Sequence, residues 1–410
     1  MSLYGNAIVG QSGGPTAAIN ATLAGVIKGA LAAQKKGQIG TLYGMRNGVE
    51  GLLAERLIDL GKEFADESRL AILENTPSSA LGSCRKKLPP PEKDESVYAE
   101  ILRIFKKYDI RYFFYIGGND SMDTVDKLSA YFAKNQYEAK IVGVPKTIDN
   151  DLVVTDHTPG FGSAAKYVAV TMQEILRDCA VYTIPAVTIV EIMGRDAGWL
   201  TTSAALPGAD GGIGPDLVYL PEKNFDIEAF FCDVRAALDR HPNVVVAISE
   251  GIHDANGKYV GEGLTGGVDA FGHTQLSGAG KVLELAVKEK FGCKVRSIEL
   301  NLPQRCAAHL ASAADLSESV AAGEHAVAAA LAGETGCMVT MTRANEPAYR
   351  IVYGTSPVCA IANQVKHVPD EYINAEANGV TDACIAYLRP LICGEVAPLY
   401  KDGLPVHCIL

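Results

Sequence analysis

A chain of 410 residues is long enough for two or three domains of about 150 residues each. Its 37 Lys and Arg against 48 Asp and Glu leave a formal charge of −11, which argues against broad capture of nucleic acid or of an anionic membrane. With 48% hydrophobic and 21% charged residues the chain is not mainly disordered, and no apolar run approaches the roughly 18 residues of a membrane span. None of the ten cysteines forms a CxxC pair and no signal segment is evident, so reduced thiols in a cytoplasmic protein are expected.

The first expected strand is 6–10. It runs through Gly10-Gln11-Ser12-Gly13-Gly14-Pro15 into a helix expected over 16–28. Adjacent glycines let backbone N–H groups approach an anion, and a helix N-terminus favours negative charge. The same turn also serves as a plain tight connection. It fits neither GxGxxG nor the P-loop, which requires a Lys. Pro89-Pro90-Pro91-Glu92 reads as a stiff surface connection. Strand 112–116 then leads through Gly117-Gly118-Asn119-Asp120-Ser121 into a helix over 121–134. Side-chain oxygens there suit Mg²⁺ that bridges phosphates, or else Asp120 or Ser121 simply caps the helix.

Strand 141–144 ends in Pro145-Lys146-Thr147-Ile148-Asp149-Asn150-Asp151. In extended backbone Thr147, Asp149 and Asp151 share one side, where two carboxylates can supply a base and a metal ligand. The bland alternative is a solvated acidic loop held by Asx turns. Asp156 reads as structural. A helix over 163–178 follows, with Ser163 as its N-cap and Ile175 and Leu176 on its apolar face. Strand 186–191 closes into Glu191-Ile192-Met193-Gly194-Arg195-Asp196-Ala197-Gly198. There Arg195 either meets a phosphoryl group or pairs with Glu191 or Asp196. Strands 217–220 and 244–249 come next, and Glu250-Gly251 after the latter offers a carboxylate to sugar hydroxyls. Arg85, Arg296 and Arg305 stand alone, and each by itself reads as a surface residue. Short apolar runs alternating with helical stretches imply an α/β fold: two Rossmann-like lobes with mainly parallel sheets flanked by helices. Ligands in such sheets gather at the carboxyl ends of strands, where all these motifs lie.

The order GQSGGP, LGSCRKK, GGNDS, PKTIDND, MGRDAG, SEG and LPQR resembles the phosphofructokinase family. The resemblance implies an active site in the cleft between two lobes. Residues 1–162 with about 305–358 would form the phosphoryl-donor lobe, and 163–304 with about 359–410 the sugar-phosphate lobe. It implies a catalytic group of Asp149, Lys146, Asp120 and Arg195, with Asp149 as the base at the sugar 1-hydroxyl. Gly14 and Arg85 join Asp120 and Lys146 around the donor. Thr147, Met193, Gly194, Arg195, Glu250 and Arg305 meet fructose 6-phosphate together with Asp149. Arg296 matches an arginine that reaches a neighbouring subunit's site, so a homodimer or homotetramer with shared sites is implied. Asn119 and Asp151 are the implied ligands of Mg²⁺. The family's ATP users carry glycines at the positions of Asp120 and Lys146; these two residues mark the pyrophosphate-using branch. A carboxylate at Asp120 occupies and repels the α-phosphate space, and Lys146 supplies a cation to a shorter donor. The implied reaction moves a phosphoryl group from pyrophosphate to fructose 6-phosphate, without nucleic acid or membrane partners. An ATP-dependent enzyme and a non-catalytic regulatory subunit are the alternatives. Three departures stand out: Asn119 replaces a metal-binding Asp, Leu302 a sugar-phosphate contact, and Ala186 an arginine from the neighbouring subunit.

Overall fold

The structure, a computed structural model, describes residues 3–262 and 278–410. Two sheets organise it. The larger has seven strands. Its parallel centre is β1 (Asn6–Gln11), β2 (Leu42–Met45), β4 (Ile110–Gly117) and β5 (Lys140–Pro145), with β3 (Leu57–Asp59) antiparallel at one edge. β10 (Cys337–Arg343) pairs parallel with β5, and β11 (Ile351–Pro357) closes the other edge antiparallel, giving the order β11-β10-β5-β4-β1-β2-β3. The smaller sheet is wholly parallel, in the order β7-β8-β6-β9, from β6 (Ala186–Ile192), β7 (Leu217–Tyr219), β8 (Asn243–Ser249) and β9 (Lys294–Glu299).

β4 shows why the larger sheet is covered on both faces. Tyr112, Phe114 and Ile116 pack into one core, and Phe113 and Tyr115 into another. The two-residue period sends an apolar set to each face. Over the first face the Ile19–Lys35 helix lies against the Ala313–Leu331 helix. Their approach is set by small residues: a Cβ on Gly25 would stand 2.0 Å from the carbonyl oxygen of Val320.

The structure corrects several expectations. The first helix spans Ile19–Lys35 rather than 16–28, because Thr16 is spent in a turn, its Oγ1 accepting from the Ala18 N–H at 3.2 Å. Ser163 is not an N-cap. The Phe161–Cys179 helix starts after Gly160, at φ +102°, and the carboxylate of Asp315 accepts from the Gly160 and Ser163 N–H groups, each at 2.9 Å. Strands β2, β3, β9, β10 and β11 were not expected. The stretch 359–410 does not keep to one lobe. Cys384, Tyr387, Leu388 and Leu391 join the core under the smaller sheet, whereas Cys408 joins the core of the larger one. All ten cysteines are free thiols, and no helix among the described residues is long and apolar enough to cross a membrane.

Candidate active site

Five parallel strands end on one cleft. β1 delivers Ser12–Pro15, β4 delivers Gly118–Ser121, β5 delivers Lys146–Asp151, β6 delivers Met193–Ala197, and β8 delivers Glu250. The cleft has a volume of about 820 Å³ and lies between the two sheets, also lined by Arg85, Lys87, Asn301 and Arg305. Of the sequence-predicted residues, Gly14, Arg85, Asn119, Asp120, Lys146, Thr147, Asp149, Asp151, Met193, Arg195, Glu250 and Arg305 all line it. Gly194 stands just behind, at φ +141°, its N–H donating to Glu250 Oε1 at 3.3 Å. A Cβ there would meet the Ala197 carbonyl oxygen at 2.5 Å, so glycine is required.

One wall is cationic. Lys146 is buried, and its Nζ donates to the Gly14 carbonyl at 2.6 Å. A Cβ on Gly14 would meet Arg305 at 3.3 Å and Arg85 at 3.9 Å, so both guanidiniums flank this turn. Burial pushes the Lys146 ammonium down to about 8, against the pull of Asp149 and Asp151. Burial, reinforced by Arg85, also lowers Arg305. A buried ammonium lowered by two neighbouring guanidiniums marks a place for an anion.

The opposite wall holds carboxylates. Burial raises Asp149, while the Thr147 hydroxyl, Lys146 and Arg195 oppose the rise. That hydroxyl donates to Asp149 Oδ2 at 3.2 Å and accepts from the Asp149 N–H at 3.1 Å. Asp151 is pushed up to about 7 by burial and then by the charge of Asp149. Glu250 is likewise raised to about 7, chiefly by burial. Between these walls the buried Nε of Arg195 has no protein partner, nor has Nε2 of Gln304, whose Oε1 accepts from the Met193 N–H at 3.2 Å. Arg195 makes no salt bridge among the described residues. Its proposed alternative partner Glu191 instead accepts from Gly278 and Gly280 N–H groups at the start of the Ala279–Phe291 helix.

Asp151 Oδ1 is buried without a partner, beside a second carboxylate. That suits a hard divalent cation. No group of three or more His, Cys, Asp or Glu that would hold a metal alone occurs among the described residues, so phosphate oxygens and water would complete the shell. Asn119 is less available. Its amide donates to the Gln364 carbonyl at 2.5 Å, and its oxygen accepts from the Asn363 N–H. Asp120 is not an isolated charge, for Lys87 stands 3.2 Å away. Both side chains are partly exposed, so the pair contributes only about 0–1 kcal/mol and leaves the carboxylate in place.

Arg296 does not reach the cleft of its own chain. It lies on β9 near Asp178, Tyr182, Ile184 and Ala186. Leu302 is 53% exposed. Asp156, read as structural, is hydrogen-bonded to buried His157 at 2.8 Å and paired with Arg343 at 3.1 Å. Sequence reasoning missed Lys87 and Gln304, although both sit inside motifs it had singled out. It also missed Asn363 and Val365, which line the cleft from far along the chain with no sequence signal.

The phosphofructokinase family model matches residues 6–342. This chain belongs to the phosphofructokinase family. It is 42% identical over 409 residues to the pyrophosphate--fructose 6-phosphate 1-phosphotransferase of Xanthomonas campestris pv. campestris (strain B100), covering 99% of this chain and 96% of that one. The protein of the same name from Methylococcus capsulatus is 40% identical, with 99% and 96% covered. Among solved structures, the pyrophosphate-dependent phosphofructokinase from Nitrosospira multiformis superimposes with a TM-score of 0.89 at 38% identity, covering 99% and 96%. These family relations run through both lobes and through the tail that carries Asn363 and Val365.

Proposed function

We propose that this chain is a pyrophosphate-dependent phosphofructokinase. It transfers a phosphoryl group from pyrophosphate to the 1-hydroxyl of fructose 6-phosphate, giving fructose 1,6-bisphosphate and phosphate. The observation that supports the reading is the cleft itself, which brings Lys146 and Asp120, the two residues we assign to the donor, together with the carboxylates Asp149 and Asp151. Close relatives bear the name of this reaction.

The lobe of the seven-stranded sheet binds the donor, and the smaller sheet's lobe binds the sugar phosphate. Asp149 takes the proton of the 1-hydroxyl, held to the task by the Thr147 hydroxyl. The freed oxygen attacks the near phosphorus of pyrophosphate, the bridging P–O bond breaks, and phosphate leaves beside Lys146 and Arg85. Lys146, Arg85 and Arg305 stabilise the negative charge on the transferring and leaving groups. Arg195, with Met193, Gly194 and Arg305, orients fructose 6-phosphate, and Glu250 accepts from its hydroxyls. Asp151 would hold a divalent cation, which we assign as Mg²⁺, with the Asn119 oxygen as a further donor. When bound, that ion offsets phosphoryl charge.

The reaction places the protein in a reversible step of glycolysis and gluconeogenesis in the cytoplasm. The assembly is a homodimer or homotetramer in which Arg296 serves a neighbouring site. Its outward position beside exposed Tyr182 and Ile184 supports this. The test is chemical. With Mg²⁺ and no nucleotide, fructose 6-phosphate and pyrophosphate should yield fructose 1,6-bisphosphate and phosphate, and the two products should regenerate pyrophosphate. Absence of bisphosphate in the forward direction would refute the reading.

A further inference from the structure

The family model ends at residue 342, yet a later segment crosses the cleft. At one end the backbone of Asn363 and Gln364 holds both ends of the Asn119 amide. In its middle, the Lys366 N–H donates to the Asp151 carbonyl at 2.8 Å, and the Lys366 carbonyl accepts from Trp199 Nε1 at 2.8 Å. At the far end the Val368 N–H donates to Glu222 Oε1 at 2.9 Å, and the same oxygen accepts from the Gly198 N–H at 2.9 Å. The strap therefore ties the donor turn, the carboxylate loop and the end of the MGRDAG loop together.

Lys366 is its anchor. A lysine ammonium has three N–H donors, and here all three have acceptors: Asn150 Oδ1 at 3.1 Å, the Thr155 carbonyl at 3.2 Å and the Asp156 carbonyl at 2.8 Å. These acceptors bracket the loop 149–156, which needs holding. Asn150 sits at φ +54° and Val154, a β-branched residue, at φ +68°. Left-handed backbone at such residues persists only where the surroundings over-determine it. Other tethers keep the segment folded without Lys366. Asn150 Nδ2 donates to the Tyr387 hydroxyl at 2.9 Å, which donates to the Asp156 carbonyl at 2.7 Å.

We infer that Lys366 is a positioning residue for the phosphoryl transfer proposed above: its ammonium clamps the loop 149–156 so that the Asp149 and Asp151 carboxylates hold their places in the cleft. Its side chain does not line the cleft. Its removal leaves Arg195 and Glu250 on the loops that follow β6 and β8, and Arg305 on its short helix, so sugar-phosphate binding persists while the base loosens.

The test compares the full-length parent with Lys366→Met and Lys366→Arg, using pyrophosphate, fructose 6-phosphate and Mg²⁺. A parent without pyrophosphate-dependent turnover refutes the proposed function, and this inference, resting on it, falls with it. Given parent turnover, Lys366→Met should lose about 10- to 100-fold in kcat, the scale of a small misplacement of reacting groups. Its KM for fructose 6-phosphate should stay within about threefold of the parent, and Lys366→Arg should recover most of the lost kcat. Trp199 is the chain's single tryptophan and is bonded to the strap, so its emission should remain that of a buried indole in both variants. Parental kcat in Lys366→Met would overturn the inference. So would a joint change of kcat and KM in both variants with Trp199 emission moving to that of an exposed indole, which marks a merely structural residue.

Discussion

Lys146→Met is the most informative single change in the proposed donor site. The side chain is buried, and its Nζ donates to the Gly14 carbonyl at 2.6 Å while facing Asp149 and Asp151. Met keeps the length and removes the charge. Loss of one charge-assisted contact costs about 1.5–3 kcal/mol, which is roughly 10- to 150-fold in kcat/KM for pyrophosphate. The pH profile gives a second, independent signature. Burial holds the Lys146 ammonium down to about 8. Below that value the group is charged and active; above it the cation is lost, so kcat/KM of the parent should fall as pH rises through about 8. Lys146→Met has no such group, so its alkaline limb should shrink to the part owed to Lys366, whose buried ammonium is likewise pushed down to about 8. The acid limb should move the other way. Asp149 and Asp151 are already raised by burial, Lys146 opposes that rise, and without it both carboxyls protonate at higher pH. Initial rates of pyrophosphate-dependent bisphosphate formation across pH 6 to 9.5 read both limbs. A folded Lys146→Met variant whose alkaline limb is as deep as the parent's, or that loses less than about threefold in kcat/KM, would refute the assignment.

Three further outcomes follow. Asp149→Asn keeps the shape but cannot accept a proton, so kcat should drop by about 10²–10⁴-fold with little change in fructose 6-phosphate binding; steady-state kinetics check this. Mixing Asp149→Asn with Arg296→Ala under subunit exchange should regenerate some intact sites and hence activity, whereas no recovery despite demonstrated exchange would place each site within one chain. Gly25→Ala should lower the Tm, because its Cβ would stand 2.0 Å from the Val320 carbonyl oxygen and prise two helices apart, an overpacking cost of at least about 1–3 kcal/mol; a calorimetric scan measures it.

Much of the candidate site was legible because its residues travel in short motifs at strand ends. Lys146, Thr147, Asp149 and Asp151 follow β5 directly, and a parallel strand fixes where its carboxyl end points. What was illegible depends on long-range partners. Ser163 has the chemistry of an N-cap, but Asp315, far along the chain, caps that helix instead. β9 reads Lys-Val-Arg-Ser-Ile-Glu, an edge strand whose alternating charges hide its β character from a search for apolar runs. Asn119 offered oxygen and nitrogen alike, and only the fold reveals that residues 363 and 364 engage both. The strap itself has no local motif. Lys366 gains meaning only from carbonyls more than two hundred residues earlier.

Donor choice is the central claim, and it is tested most directly by kcat/KM for pyrophosphate and for ATP, measured side by side with fructose 6-phosphate and Mg²⁺. Asp120 and Lys146 together predict that pyrophosphate exceeds ATP by at least about a hundredfold, a difference of about 2.7 kcal/mol. They also predict that the double change Asp120→Gly with Lys146→Gly raises the ATP-to-pyrophosphate ratio. A parent that prefers ATP would contradict the account outright.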